Sequence, residues 1–207
     1  MIAVLTGDII NSRKAISAEE WLSVLKEALG SKDNWEIFRG DSFQIKVEVS
    51  EALLKAIYIK SCLKTLKNID ARIAIGIGKE GYNAEKLSES NGEAFIFSGE
   101  KFELLKKEKV SLAIKTPSPD FDYEFNIALK LALIAIDKWT PLVAEMVKLA
   151  IENPEASQLE LAEITGKTQS SVSEALSRAS FFEILELNTL YQKKIKDILP
   201  NNEPTPD

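Results

Sequence analysis

Between Asn34 and Val49 the chain holds two strand-like runs, Asn34 to Phe38 and Ser42 to Val49, with a tight turn at Gly40 and Asp41. The second alternates Phe43, Ile45, Val47 and Val49, the period-two pattern of a half-buried strand. A hairpin does not fold alone, so the flanking segments decide the architecture. Before it come an apolar strand, Ile2 to Leu5, and a helix from Ser17 to Leu29 marked by Trp21, Leu22, Val24, Leu25, Ala28 and Leu29. Ser17 and Glu20 make a capping box for that helix. After it, Leu53, Leu54, Ile57, Tyr58, Cys62, Leu63 and Leu66 predict an amphipathic helix over Glu51 to Lys67, and ARIAIGIG (Ala71 to Gly78) returns to strand. The order β-α-β-β-α-β is the ferredoxin-like arrangement, with the first strand beside the hairpin at the sheet centre.

A polar loop from Lys79 to Asn91, a helix from Ala94 to Lys107 and a strand from Val110 to Lys115 extend this unit. TPSPDFD (Thr116 to Asp122) opposes both helix and strand and reads as a linker. Every later element looks helical. The expected class is therefore α+β: an antiparallel-sheet domain over 1–116, a linker at 117–123, an all-α domain over 124–199 and a disordered tail at 200–207. Neither MIAVLTGDII nor ALKLALIAI (Ala128 to Ile136, interrupted by Lys130) is long enough to be a signal peptide or a membrane span, so a cytoplasmic protein without membrane contact is expected.

The chain contains no histidine, which removes Ser-His and Cys-His nucleophile pairs, HExxH zinc sites and histidine bases. A single cysteine, Cys62, excludes an internal disulfide. Chemistry would have to run on carboxylates, lysines, backbone amides and a bound ion. The formal net charge of −6 opposes a broad nucleic-acid-coating surface and leaves room for a local contact patch.

Asp8 sits in LTGDIINSRK, a stretch that otherwise reads as buried, where a lone charge is costly unless it is paired or bound to a cation. The ferredoxin-like order brings it toward Asp41 at the hairpin tip. Two such carboxylates can hold one or two Mg²⁺ ions, which keep waters for a phosphate to displace. The turn formed by Ile10 and Asn11 would turn backbone N–H groups toward that phosphate, with Ser12 and Arg13 in reach. The plainer reading makes Asp8 a turn cap and Asp41 a hairpin residue. GIGKEG (Gly76 to Gly81) matches a dinucleotide-binding pattern but lies outside the first βα unit and opens no helix directly.

LTGDIINSRK, FRGDSFQIKVE, RIAIGIG and NGEAFIFSGEKFELLKK, in that order, resemble the signatures of the SatD family, whose N-terminal part is similar to the palm-like domain of class III nucleotidyl cyclases and GGDEF diguanylate cyclases. The resemblance implies that Asp8 and Asp41 match the metal aspartates, that the carbonyl of Ile9 adds a ligand, and that a nucleoside triphosphate is the natural guest. It also exposes departures. Ile37 stands where cyclases carry a lysine, Phe95 and Gly99 where they carry Asn and Arg, and Ser42 where the family often has Glu. Phosphoryl transfer depends on positioning and charge stabilisation, so these losses imply a retained site without turnover.

ASQLELAEITGKTQSSVSEALSRA (Ala156 to Ala179) has the spacing of a helix-turn-helix: small Ala162, turn Gly166 and buried Val172, with Leu159, Leu161, Ile164 and Leu176 as further core contacts. Ser157 and Glu160 cap the first helix and Thr168 the second. The start of the second helix nominates Gln169, Ser170, Ser173 and Glu174 for base edges, with Lys167, Thr168 and Arg178 at the phosphates of double-stranded DNA. Acidic neighbours weaken the case, and a plain helical bundle or a protein-contact unit competes with it. The expectation is a DNA-binding transcriptional regulator, a homodimer, whose degenerate cyclase-like part senses a nucleotide or metal or dimerises. The alternative is a Mg²⁺-dependent nucleotidyl cyclase or transferase with a regulatory helical part.

Overall fold

The computed structural model describes residues 1–14, 17–82, 84 and 86–199. The expected disordered tail at 200–207 lies outside the described residues. The strands are β1 (Ile2–Ile10), β2 (Trp35–Phe38), β3 (Ser42–Val47), β4 (Asp70–Gly78), β5 (Glu80–Tyr82), β6 (Asn91–Gly92) and β7 (Leu112–Lys115). The helices are α1 (Ala18–Leu29), α2 (Ala52–Lys64), α3 (Glu93–Glu108), α4 (Pro119–Ile136), α5 (Pro141–Glu152), α6 (Gln158–Thr165), α7 (Gln169–Arg178) and α8 (Phe181–Lys196). The molecule is α+β.

β1 runs five residues beyond its apolar start because β4 pairs with it along its whole length and β3 covers its other edge from Ala3 to Asp8, each antiparallel. The sheet order is β2-β3-β1-β4-β7. Only the last pair, β4 with β7, is parallel, so the sheet is mixed rather than purely antiparallel. Within and at the end of the segment expected as a polar loop, Glu80–Tyr82 and Asn91–Gly92 pair as the small β5-β6 ribbon.

Ala3, Leu5 and Ile9 send their side chains with Phe43, Ile45, Ile73, Ile75 and Ile77 into the main core under α1 and α2. On the opposite face lies α3. A Cβ on Gly76 would come within 2.2 Å of the Ala94 carbonyl oxygen and 2.3 Å of the Ser98 nitrogen, so only glycine lets this helix seat on the strand. Thr6 donates to Ser98 Oγ across the same contact (2.9 Å). GIGKEG is thus a packing device: Gly78 admits Glu93 and Gly81 admits Asn91 in the same way.

α2 is not amphipathic as its spacing suggested. Ala52, Leu53, Ala56, Ile57, Ile59, Cys62 and Leu63 are buried around nearly its whole circumference, because the sheet covers one side and α5 packs on another. Burial pushes the Cys62 thiol up to about 11, which keeps it protonated and unreactive.

The expected linker is a tightly tied helix start. Ser118 caps α4 by accepting from the Phe121 N–H, Pro119 occupies its first turn, and the Thr116 N–H donates to both oxygens of Asp122 (2.9 and 3.1 Å). One turn later the Asn126 amide both accepts from the Ile114 N–H and donates to its carbonyl, each at 2.9 Å, closing the free edge of β7 as another strand would. Farther on, Trp139 Nε1 donates to the Ala179 carbonyl (3.1 Å), and the Tyr191 hydroxyl donates to the Val49 carbonyl, joining α8 to the start of α2. A single apolar cluster therefore runs from Ala3 to Ile195 through sheet and helices alike.

Inside it sits a fully buried ammonium. Lys60 Nζ donates to Asp70 Oδ1 (2.8 Å), the Ala71 carbonyl (2.8 Å) and Ser111 Oγ (3.1 Å), so all three of its protons have acceptors. Lys64 Nζ holds the other oxygen of Asp70 at 3.0 Å. Burial alone would raise the Asp70 pKa, but the two lysines outweigh it and hold the carboxyl below 3.8. The stabilisation this gives is complete at pH values well above 3.8 and is lost as the pH falls through the lowered folded value. Asp70→Ala, which strands Lys60 in the core, should destabilise by about 3–5 kcal/mol in urea titration at pH 7. Asp70→Asn should flatten the acid limb of stability against pH.

Candidate functional site

Asp8 lies near the end of β1, opposite Ser42 on β3 and Arg72 on β4. Its alternation with Thr6 turns it toward the α3 face, where Lys106 Nζ stands 3.3 Å from Oδ2 and Arg72 Nε 3.7 Å from Oδ1. The side chain is nearly buried, and Oδ1 accepts no hydrogen bond. Asp41 is brought close through its backbone: its carbonyl accepts from the Ile9 N–H at 3.0 Å. The Asp41 carboxylate, however, has a partner of its own, accepting from Ser12 Oγ at 2.7 Å. The two acids thus share a corner of the sheet but answer to different neighbours.

The turn that follows β1 places Asn11 in the left-handed region (φ 63°), with its Nδ2 donating to the Asn68 carbonyl (3.0 Å). Ile10 belongs to the strand, opposite Asp70, rather than to a phosphate-cradling turn. Asn11 and Arg13 are exposed and Ser12 half-buried. A cleft of about 310 Å³ opens beside this corner, lined by Ile10, Arg72, Lys106 and Lys109 among others. Arg72 and Lys106 were missed from sequence. Arg72 carried a visible signal, a lone cation in an apolar strand; Lys106 carried none, being one of many helix lysines.

Whether the corner suits Mg²⁺ turns on charge. The unsatisfied Oδ1 of Asp8 is a suitable donor, but the carboxylate already faces two protein cations, and among the described residues no three acidic or thiol groups converge. A divalent ion would have to displace Arg72 or Lys106 from Asp8 and Ser12 from Asp41, so the residues as they stand do not fit a resident metal.

The second set of expected residues falls at the α6-α7 junction. Ser157 and Glu160 form the reciprocal cap of α6, and these hydrogen bonds hold the Glu160 carboxyl below its ordinary value. α6 stops because Gly166 adopts φ 63°, a left-handed conformation, and the Lys167 N–H folds back onto the Ala162 carbonyl (3.0 Å). Thr168 then caps α7 by accepting from the Ser171 N–H (3.2 Å). Val172, Ala175 and Leu176 are buried in a helix that packs on α5 and α6, leaving Gln169, Ser170 and Glu174 exposed with Ser173 and Lys167 half-buried. Arg178 is exposed but pairs with Glu174 one turn earlier. Leu161 and Leu176 are core residues as expected; Leu159 and Ile164 instead face out, because α6 is covered on one side only. Ser171 and Ser177 join the open surface of α7 and were not foreseen.

No family model, no curated protein and no solved structure matches this chain at a significant level. Its site must be read from its own geometry. Among the described residues no helix is long and apolar enough to cross a membrane.

If Asp8 is the counter-ion of Arg72 and Lys106, Asp8→Asn should lower stability by about 1–2 kcal/mol. Thermal melting in plain buffer checks this, since a carboxylate kept for a ligand would give a variant of equal or greater stability.

Proposed function

We propose that this protein is a DNA-binding transcriptional regulator: a ferredoxin-like, cyclase-palm-related sheet that has lost catalysis carries a helix-turn-helix made by α6 and α7. The observation that carries the reading is the outward face of α7. Its first turn, with Gln169 and Ser170, is open to solvent while Val172, Ala175 and Leu176 anchor the other side. That is the disposition a helix needs to enter a major groove. Strand order β2-β3-β1-β4, with α1 and α2 on one face, supports the palm relationship.

Charge limits the affinity. Near α7 the contributing cations are Lys167 and an Arg178 partly neutralised by Glu174, so each subunit neutralises few phosphates and two subunits must act together. The second reading, a Mg²⁺-dependent nucleotidyl cyclase or transferase, draws on one feature, the unsatisfied Asp8 Oδ1. Arg72 and Lys106 beside it weigh against that reading, as do Ile37, Phe95 and Gly99 in place of functional polar groups.

In a binding selection the protein should enrich a palindrome with half-sites about one helical turn apart. Gln169→Ala should cost ~1–3 kcal/mol on that site and little on random DNA, whereas Lys167→Ala should weaken both alike. Failure to enrich any sequence, with Gln169→Ala silent, would leave α7 as a protein-contact helix. Incubation with Mg²⁺ and ATP or GTP should give no cyclic product. Turnover abolished by Asp41→Ala would favour the enzyme instead.

A further inference from the structure

We propose that the outer face of α4 is the seam of a two-fold homodimer, in which α4 packs antiparallel against α4 of a second copy of this chain. The helix is apolar on two sides. Phe121, Phe125, Leu129, Leu133 and Ile136 are buried inward, whereas Tyr123 (74% exposed), Ile127 (45%), Leu131 (63%) and Ile134 (59%) stand in solvent. Spaced by four, four and three residues, these four fall on one narrow stripe at 3.6 residues per turn. Isolated exposed apolar residues need no explanation, but a continuous stripe along a helix face does.

The occupant follows from what brackets the stripe. Asp120 lies at its N-terminal end and Lys138 at its C-terminal end, both exposed and neither with an ion-pair partner among the described residues. The apolar stripe and its charged ends pair about Leu129, with Lys130 on the flank outside the pattern: Asp120 mirrors Lys138, two residues past the helix end, Tyr123 falls within one residue of mirroring Ile134, and Ile127 mirrors Leu131. An antiparallel copy therefore sets Ile127 against Leu131 at the two-fold axis, Tyr123 near Ile134, and Asp120 against Lys138 at both ends, over ~27 Å of helix. A parallel copy would set like charge against like. A lipid surface or an unrelated apolar segment would have no use for acid at one end and base at the other. On α8, Leu190 (43% exposed) stands one turn before Lys194, which pairs with Glu124, so the apolar surface continues beside the stripe.

This seam would supply the second subunit that the DNA-binding reading calls for, but it is argued and tested without DNA, so a dimer that enriches no sequence would overturn that reading and leave the seam standing. Sedimentation equilibrium of the full chain should show a reversible dimer. Leu131→Lys, at an exposed position that should leave thermal melting of the monomer unchanged, should raise the dimer dissociation constant by about 30-fold or more. Asp120→Lys and Lys138→Asp should each weaken the dimer several-fold, and the double swap should restore it. A wild-type chain that stays monomeric, a dimer indifferent to Leu131→Lys, or a double swap no better than its parents would overturn the proposal.

Discussion

The buried ammonium of Lys60 fixes more of this molecule than any other group. Its three acceptors come from the first two residues of β4 and from Ser111, just before β7. Ser111 in turn donates to Asp137 at the end of α4 (2.8 Å), and Lys64 reaches the Asp137 carbonyl (3.2 Å). A charge of this kind has one tolerable geometry, because any departure leaves a proton unsatisfied at low dielectric. It therefore specifies where β4 begins. With Asp70 anchored, Ile10 pairs with Asp70 and the register carries Arg72 opposite Asp8. The charge balance at the sheet corner is thus a consequence of a lysine on another face of the fold.

The strand and helix order was legible because binary patterning and caps are local: Ser17, Ser157, Gly166 and Thr168 do what their positions imply. Two features were not legible, for the same reason. α2 reads as amphipathic because its polar residues, Lys60, Ser61 and Lys64, are spaced like a wet face; the structure buries the two lysines by giving them partners far away in sequence, Ser111 and Asp137, and lets the Ser61 hydroxyl donate back to the Tyr58 carbonyl on the same helix. TPSPDFD reads as a linker because proline opposes helix interiors, but Pro119 sits at the one helical turn where it is welcome. Sequence alone does not reveal whether a proline precedes or interrupts a helix unless the cap is recognised, and Ser118 was that cap.

The candidate site divides the same way. The strand order brings Asp41 beside the residue after Asp8, through the Ile9 N–H and the Asp41 carbonyl, while the two carboxylates keep different partners. What spacing could not supply is the company they keep. Lys106 arrives from α3, which lies on the sheet only because Gly76 has no side chain. An acidic pair in sequence became, once that helix was seated, a corner in which the cations beside Asp8 outnumber it. At α7 the open face was legible from the positions of Ala162, Gly166 and Val172, whereas the pairing of Arg178 with Glu174 depends on which rotamers the two side chains take.

The all-round burial of α2 bears on how the chain can be taken apart. One flank of that helix is roofed by the sheet and another by α5, and Tyr58 on it donates to Glu152 (2.6 Å). Cutting the chain after residue 116 would strip the second roof, lay open the apolar residues of α2 that α5 covers, and remove the Asp137 carbonyl that Lys64 bonds. The strands and the bundle are consequently not modules to be shuffled or expressed apart. They share one structural beam, and one apolar core crosses both kinds of architecture.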